Sequence, residues 1–307
     1  FHPKEYLSNV GGLDNLKDWI HKRGQAYSDD AKKFGLNIPR GVLLLGIPGC
    51  GKSLTAKAIA NEWKFPLLRF DLGKVFGGIV GESERNIRYA LDVAKTISPC
   101  VLWIDEIEKG LSGSQSSGRT DGGTSARVFG TFLTWMQEKK EPVFVVATAN
   151  DISALPPELL RKGRFDEIFF VDLPSAKERE NIFDIHLKNK NRDAKALNLD
   201  MKELVKKTEG FSGAEIEEVV NEALFNAYAE NQKDLQMNNL LECISATSPL
   251  SRTMAETISN LRKWAKERAR MASNEKPEEV KEMNEDIPKL QQEYNNPFIS
   301  KRKDDRK

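Results

Sequence analysis

Residues 42 to 53 read VLLLGIPGCGKS and run directly into a helical pattern. No other stretch of the chain limits the fold so tightly. A continuous aliphatic run suits a strand covered on both faces, and Gly46, Gly49 and Gly51 let the backbone turn sharply before the helix begins. The spacing G-x-x-x-x-G-K-[ST] between a strand and a helix is that of a loop whose backbone N–H groups wrap a phosphate at the helix's positive end. In such a loop Lys52 reaches the β and γ phosphates and Ser53 holds Mg2+.

A doubly covered strand needs parallel neighbours, and the sequence supplies them. Between residues 40 and 172, VLLL at 42, PLLRF at 66, VLWID at 101, VFVVAT at 143 and EIFFVD at 167 alternate with helical patterns. That alternation predicts an α/β parallel sheet with crossover helices. In ESERNIRYALDVAKTI, the apolar residues Ile87, Leu91 and Ala94 form one stripe for the sheet. After Pro174 the strand signals stop. Two Ser-x-x-Glu capping boxes, Ser175 with Glu178 and Ser212 with Glu215, open helices of a small all-α domain. The expected division is a large domain over 1–173, a helical lid over 174–250, and a C-terminal helix with a charged, mobile tail over 251–307.

Charge and cysteine usage narrow the function classes. Lys and Arg total 47 against 46 for Asp and Glu, so no global field favours nucleic acid or an anionic membrane. The short basic runs KDWIHKR, LRKWAKERAR and KRKDDRK read as solvated faces. Apolar runs fall far short of the roughly 18 residues of a membrane span. Cys50, Cys100 and Cys243 form no CxxC pair, which argues against a disulfide scaffold or zinc cluster and for a reducing, cytoplasmic setting. The chain opens on Phe1 without a signal pattern, so a natural start upstream is expected.

Further acids and bases complete a nucleotide-hydrolysing set. VLWIDE delivers Asp105 and Glu106 to a strand end, the sheet edge where ligands collect. Asp105 there would orient Mg2+ and Glu106 would polarise an attacking water. The strand VFVVAT ends at Ala149 and Asn150, whose amide could align that water from the other side. In LPPELLRKGRFDE, Arg161 and Arg164 lie three apart beside a glycine. They read either as two guanidinium groups offered to a transferring phosphoryl, in cis or from a neighbour, or as a surface salt-bridge pair.

With VGGLD at 10, GIPGCGKS, VLWIDE, ATAN, LLRKGRFD and FSGAE in this order, the chain resembles the AAA+ ATPases that remodel proteins, over roughly residues 1 to 250. The resemblance implies a P-loop NTPase module with its lid, ATP and Mg2+ as cofactors, a homo-oligomeric and hexameric ring, and a protein substrate or adaptor. It implies Lys52, Glu106 and Asn150 as hydrolytic residues, Ser53 and Asp105 as metal ligands, and Arg161 and Arg164 as fingers reaching the next subunit. It further implies nucleotide contacts from Asn9, Gly11, Pro48, Gly49, Cys50, Gly51, Lys52, Ser53, Leu54, Ile182, His186, Gly213 and Ala214. No HExxH occurs, so the fused zinc-protease branch is excluded for this chain.

KVFGGIVGESE at 74 falls where such remodelers carry a substrate-gripping pore loop. Ile79 stands in place of the aromatic, and Ile79 with Val80 either grips an extended chain or covers the sheet edge. LSGSQSSGRTDGGTSAR at 111 reads as a second pore loop or as a surface loop. FGGIVGESE, PLSRTM at 249 and LRKWAKERAR at 261 also resemble a narrower group of AAA proteins from cyanobacteria and algal plastids, which implies a plastid stroma as the alternative location. Cys50 reads first as a small residue tolerated in the loop; the alternative is a thiol whose pKa is lowered by Lys52 and the helix N-terminus, with a route to oxidative inhibition.

Overall fold

The computed structural model describes residues 5–72, 82–110, 122–161 and 163–275. The expected pore-loop residues Ile79 and Val80, the loop residues 111–121 and the charged tail from residue 276 lie outside them.

The five expected strands form, and a sixth joins them. They are β1 (Gly41–Gly46), β2 (Leu67–Phe70), β3 (Cys100–Ile104), β4 (Val143–Ala149), β5 (Glu167–Val171) and β6 (Arg270–Met271). All neighbours pair in parallel, in the order β2-β3-β4-β1-β5-β6. Every residue of β1, β3 and β4 is buried, which is why they read as unbroken apolar runs.

Successive residues of each strand face opposite layers. Val42, Leu44, Val101, Trp103, Phe144 and Val146 pack on one side against Leu16, Trp19 and Ile20 of α1 (Asp14–Gly24) and Ala56, Ile59 and Ala60 of α3 (Lys52–Glu62). The short helix α2 (Asp29–Phe34) precedes β1. On the other side Leu43, Leu45, Leu102, Ile104, Val145 and Ala147 meet α4 (Glu82–Ile97) and α5 (Gly122–Glu138). Ile87, Leu91 and Ala94 of α4 are buried there as the stripe.

The lid consists of α6 (Ala176–Asn189), α7 (Met201–Lys207), α8 (Gly213–Ala229) and α9 (Met237–Ala246) around a core including Phe183, Leu204, Ile216, Val219, Val220 and Leu240. Both capping boxes form: the Ser175 and Ser212 hydroxyls accept from the Glu178 and Glu215 N–H groups, and each Glu carboxylate accepts the Ser N–H in return.

The chain then returns to the large domain, which the silence of strand signals after Pro174 did not anticipate. Beyond the one-turn α10 (Leu250–Thr253), Leu261 and Ala265 of α11 (Ala255–Arg268) enter the sheet's core, and β6 adds an edge strand beside β5. Two residues are too short to show a period, and β6 is held from outside itself. Ala272 N–H donates to Phe170 O (2.9 Å), Leu16 N–H to Ala272 O (3.1 Å), and Asn15 Nδ2 to Met271 O (3.1 Å) and Ser273 O (3.0 Å). Residues 273–275, expected in the mobile tail, are bonded as well: Ser273 Oγ donates to Glu178 Oε1 (2.6 Å) and Ser175 Oγ to Glu275 Oε2 (2.8 Å). Among the described residues no helix is long and apolar enough to cross a membrane.

Arg262 of α11 grips the carboxylate of Asp172, at the end of β5, with Nε and Nη2 at 2.9 to 3.1 Å. The Asp172 side chain is only 6% exposed, so losing its partner strands a nearly buried charge. Arg262→Ala is therefore expected to lower unfolding stability by about 3 kcal/mol, and Arg262→Lys, which cannot make the fork, by roughly half as much, in urea titrations followed by circular dichroism.

Candidate functional site

The C-terminal ends of β1, β3 and β4 come level, because the parallel register sets Leu45 beside Ala149 and Ile104 beside Ala147. A cleft of about 490 Å3 opens above them, between the sheet edge and the lid. That volume suits a nucleotide-sized ligand.

Its floor is the loop between β1 and α3. Gly46 has φ +155°, and a Cβ there would sit 2.0 Å from Val171 O. Gly51, at φ +85°, is the residue from which α3 starts. Any side chain at the first would collide with β5, and one at the second would strain the turn. Lys52 lies buried beneath the loop, its Nζ donating to Gly46 O (2.9 Å) and Ile47 O (2.7 Å). Burial pulls this amine down to about 8, and the acids Glu108, Asp105 and Glu106 oppose the pull.

Asp105 and Glu106 follow β3. Asp105 Oδ1 accepts from Ser53 Oγ (2.8 Å) and from Thr148 Oγ1 (2.7 Å), which ties α3, β3 and β4 to one oxygen. Glu106 takes a left-handed backbone, φ +48°, an uncommon conformation for a side chain other than Asn or Gly. Its N–H donates to Thr148 Oγ1 (2.9 Å), its Oε1 accepts from Asn150 Nδ2 (2.9 Å), and its Oε2 meets Lys109 Nζ at 2.5 Å. The acid and the amide singled out from separate strands are thus in direct contact.

The remaining walls are Asn9, Val10 and Gly11 from the N-terminal segment, Pro48 to Leu54 from the loop and α3, and Ile182, Ile185 and His186 from α6. Gly213, Ala214 and Glu217 of α8 close the far side, and Ala214 N–H donates to Gly49 O (3.0 Å). Burial holds His186 below the usual imidazole range, with Glu217 pulling it back, so the ring is neutral at pH 7. Ile185 is half-buried and lines the cleft rather than filling the lid core.

Arg161 and Arg164 do not line this cleft. Arg161 is exposed in a separate groove with Arg40, Asp166 and Arg268, near the start of β1, and Arg164 Nε has no hydrogen-bond partner among the described residues. Within one chain the two guanidinium groups and the cleft are apart.

The reactive-thiol alternative for Cys50 does not hold. Its thiol pKa is not lowered: burial pushes it up to about 12, more than Lys52 pulls it down. The Sγ lies 3.7 Å from Pro48 O, turned toward the loop.

Thr148, Asp172 and Glu178 are among the cleft residues that escaped the sequence reading. Asp172 is fixed by Arg262, and Thr148 by Asp105. Glu178 reads as a capping acid, which it is, but its Oε1 also accepts from Leu13 N–H (3.1 Å), and so joins the N-terminal segment to α6. The approach is so close that a Cβ on Gly12 would lie 2.0 Å from that oxygen.

The donor set fits Mg2+ bound together with a nucleotide. Ser53 and Asp105 are hard oxygen donors already in contact, and among the described residues no three His, Cys, Asp or Glu side chains gather into an independent cage. Mg2+ characteristically takes one or two carboxylates and completes its shell with phosphate and water.

Residues 42–173 match the family described as ATPase family associated with various cellular activities (AAA), and residues 198–242 match the AAA+ lid domain. A protein of Guillardia theta, named as the uncharacterized AAA domain-containing protein ycf46, is 52% identical over 265 residues, spanning 86% of this chain and 52% of that protein. Its namesake in Pyropia yezoensis is 51% identical over 275 residues, spanning 89% and 55%. The chain therefore spans about half the length of the curated relatives it matches.

Lys52 is expected to hold phosphates through its charge, so affinity for an ATP analogue should be level below about pH 8 and weaken above it, approaching about tenfold per pH unit, with proton uptake on binding seen by calorimetry in two buffers. With desolvation pushing the Cys50 thiol pKa up, iodoacetamide or peroxide should leave turnover close to that of the untreated protein.

Proposed function

Because the chain belongs to the AAA family of ATPases, we propose that it hydrolyses Mg-ATP in a homo-oligomeric, hexameric ring and couples the reaction to remodelling a protein substrate. The observation that carries the hydrolytic part is the contact of Asn150 Nδ2 with Glu106 Oε1, next to the Ser53–Asp105 pair.

In this reading the phosphates lie against the N–H groups of the loop after β1, with Lys52 turning its Nζ from the Gly46 and Ile47 carbonyls to the outer phosphates. Asn9, Gly11, Ile182 and His186 surround the adenine and ribose, and a neutral His186 suits an uncharged base. Ser53 and Asp105 hold Mg2+, which supplies charge neutralisation at the phosphates. Glu106 accepts a proton from the attacking water while Asn150 keeps that water in line. The bond from the γ phosphorus to the bridging oxygen breaks, and ADP and phosphate leave. Holding reactants in line can supply much of such a barrier's reduction, since phosphoryl transfer depends mainly on positioning and electrostatics.

Among the described residues no arginine lines this cleft. Arg161 and Arg164, neither of which lines its own cleft, would supply a cation for the developing phosphoryl charge to a neighbour's. A head-to-tail contact of this kind closes into a ring when its rotation closes. The second reading is an ATP-dependent assembly switch that pulls nothing through its centre, and Ile79 in place of the aromatic favours it. Ile79→Asp separates them: a translocating machine loses remodelling at unchanged basal turnover, and a switch is indifferent.

Turnover per subunit is expected to rise steeply with protein concentration, since each site is completed by another chain. Arg161→Ala and Arg164→Ala should abolish the rise and leave nucleotide binding unchanged. Glu106→Gln should cut kcat by about 10^2-fold or more at near-normal nucleotide affinity. Concentration-independent turnover would refute completion in trans, and wild-type kcat in Glu106→Gln would refute its role as base.

A further inference from the structure

We infer that Glu108 is a positioning residue for hydrolysis: its carboxylate fixes the backbone of Asn150 so that the Asn150 amide meets Glu106. The inference rests on reading Glu106 and Asn150 as the hydrolytic pair.

The left-handed turn at Glu106 sends the following residues back under the sheet edge. Ile107 is fully buried, and its N–H donates to Thr148 O (2.9 Å). Glu108 follows at 6% exposure, and its Oε1 accepts from Asn150 N–H (2.9 Å). Asn150 stands one residue past Ala149, the last register position of β4 against β1, so the ladder no longer fixes its backbone. Glu108 takes over where the ladder ends.

The consequence reaches the site through one residue. Asn150 N–H is held by Glu108 and Asn150 Nδ2 by Glu106, so both acids of one short turn clasp the same asparagine. Glu108 does not line the cleft and cannot touch the nucleotide. Its action is on the orientation of Asn150, and a displacement of about 1 Å in such a group can cost about 10^2-fold in rate.

Packing alone does not account for a carboxylate here. Glu108 Oε2 is buried without a hydrogen-bond partner among the described residues, and burial raises the carboxyl pKa against the pull of the Asn150 N–H. An aliphatic side chain would fill the space without stranding an oxygen, and would leave Asn150 N–H unpaired instead. What the site keeps is the acceptor.

The test compares Glu108→Ala, Glu108→Gln and Glu108→Asp in this 307-residue chain, with Glu106→Gln as reference. The readouts are kcat, KM for ATP, affinity for a non-hydrolysable ATP analogue, and unfolding midpoint. Glu108→Ala is expected to lower kcat by about 10- to 100-fold while KM and analogue affinity stay within about threefold. Glu108→Gln, whose amide oxygen can accept the same N–H, should restore kcat to within about threefold, and Glu108→Asp, one methylene short, should behave as Glu108→Ala. A wild-type kcat in Glu108→Ala, an equal loss in Glu108→Gln, or analogue affinity falling in step with kcat would each overturn the inference. Should Glu108→Ala not fold, the contrast between Glu108→Gln and Glu108→Asp decides alone. Wild-type turnover in Glu106→Gln would instead remove the hydrolytic-pair reading itself.

Discussion

One oxygen holds the site to the sheet. Asp105 Oδ1 accepts from Ser53 and from Thr148, so the start of α3, the end of β3 and the end of β4 are fixed at one point. Both donors are hydroxyls, Ser53 on the first turn of α3 and Thr148 on β4, whose register against β3 is fixed, and the Thr148 hydroxyl also accepts from Glu106 N–H. A carboxylate in this setting binds tightly to neutral donors, yet it keeps a second oxygen for a cation. Everything the cleft can do to a phosphate depends on these three strand and helix ends being level. That condition is met by ordinary packing: β1, β3 and β4 are buried throughout and cannot slip by one residue without exchanging their two apolar layers.

The second constraint lies at the junction between sheet and lid, and it is made by residues distant in sequence. Glu178 on α6 accepts from Leu13 on one side and from Ser273 on the other, while Asp172 just before the junction is gripped by Arg262. The segment from Ala255 to Glu275 thus belongs mechanically to both ends of the nucleotide cleft. The lid cannot rotate far about residues 172–178 without breaking charge-assisted hydrogen bonds to this segment. Ser175 and Glu178 at the start of α6 are thereby tied to Glu275 and Ser273, and Ala214 of α8 is tied to the loop after β1.

The central strands and their order of appearance were legible in the sequence because doubly buried parallel strands are long aliphatic runs, and helix starts were legible because Ser175 and Ser212 carry capping boxes. β6 was not, since two residues carry no period and its hydrogen bonds come from Leu16, Asn15 and Phe170, far away in the chain. The loop after β1 was legible because its function needs glycine at fixed positions, a constraint written directly into residue identity. Glu178 and Glu108 were hidden by chemistry with two uses. A glutamate three after a serine reads fully as a cap, and a glutamate after Asp-Glu-Ile reads as one more surface acid. Only the fold shows that the first also reaches Leu13 and that the second is buried against Asn150. The reactive-thiol alternative for Cys50 failed for the converse reason: a nearby lysine lowers a thiol pKa, and here desolvation of the thiolate outweighs that pull.

Several features that oppose stability gather at or beside the cleft. Lys52 is buried with its pKa depressed, Glu106 has a left-handed backbone, and Glu108 carries an unpartnered buried oxygen. Each costs folding free energy, of order 1–3 kcal/mol for the backbone strain alone. The rest of the large domain offsets them with two full apolar layers. This distribution has a mechanistic sense. A lysine folded back onto Gly46 and Ile47, and a glutamate capped by Asn150 and Lys109, are groups whose present partners are weaker than a polyphosphate and a water in line would be. In the proposed reading, a bound nucleotide would exchange these contacts for better ones, so that part of its affinity would go into ordering Lys52 and Glu106 rather than only into holding the ligand. A relaxed site, with Lys52 solvated and Glu106 in an ordinary backbone conformation, would be more stable and would give the nucleotide less to reorganise.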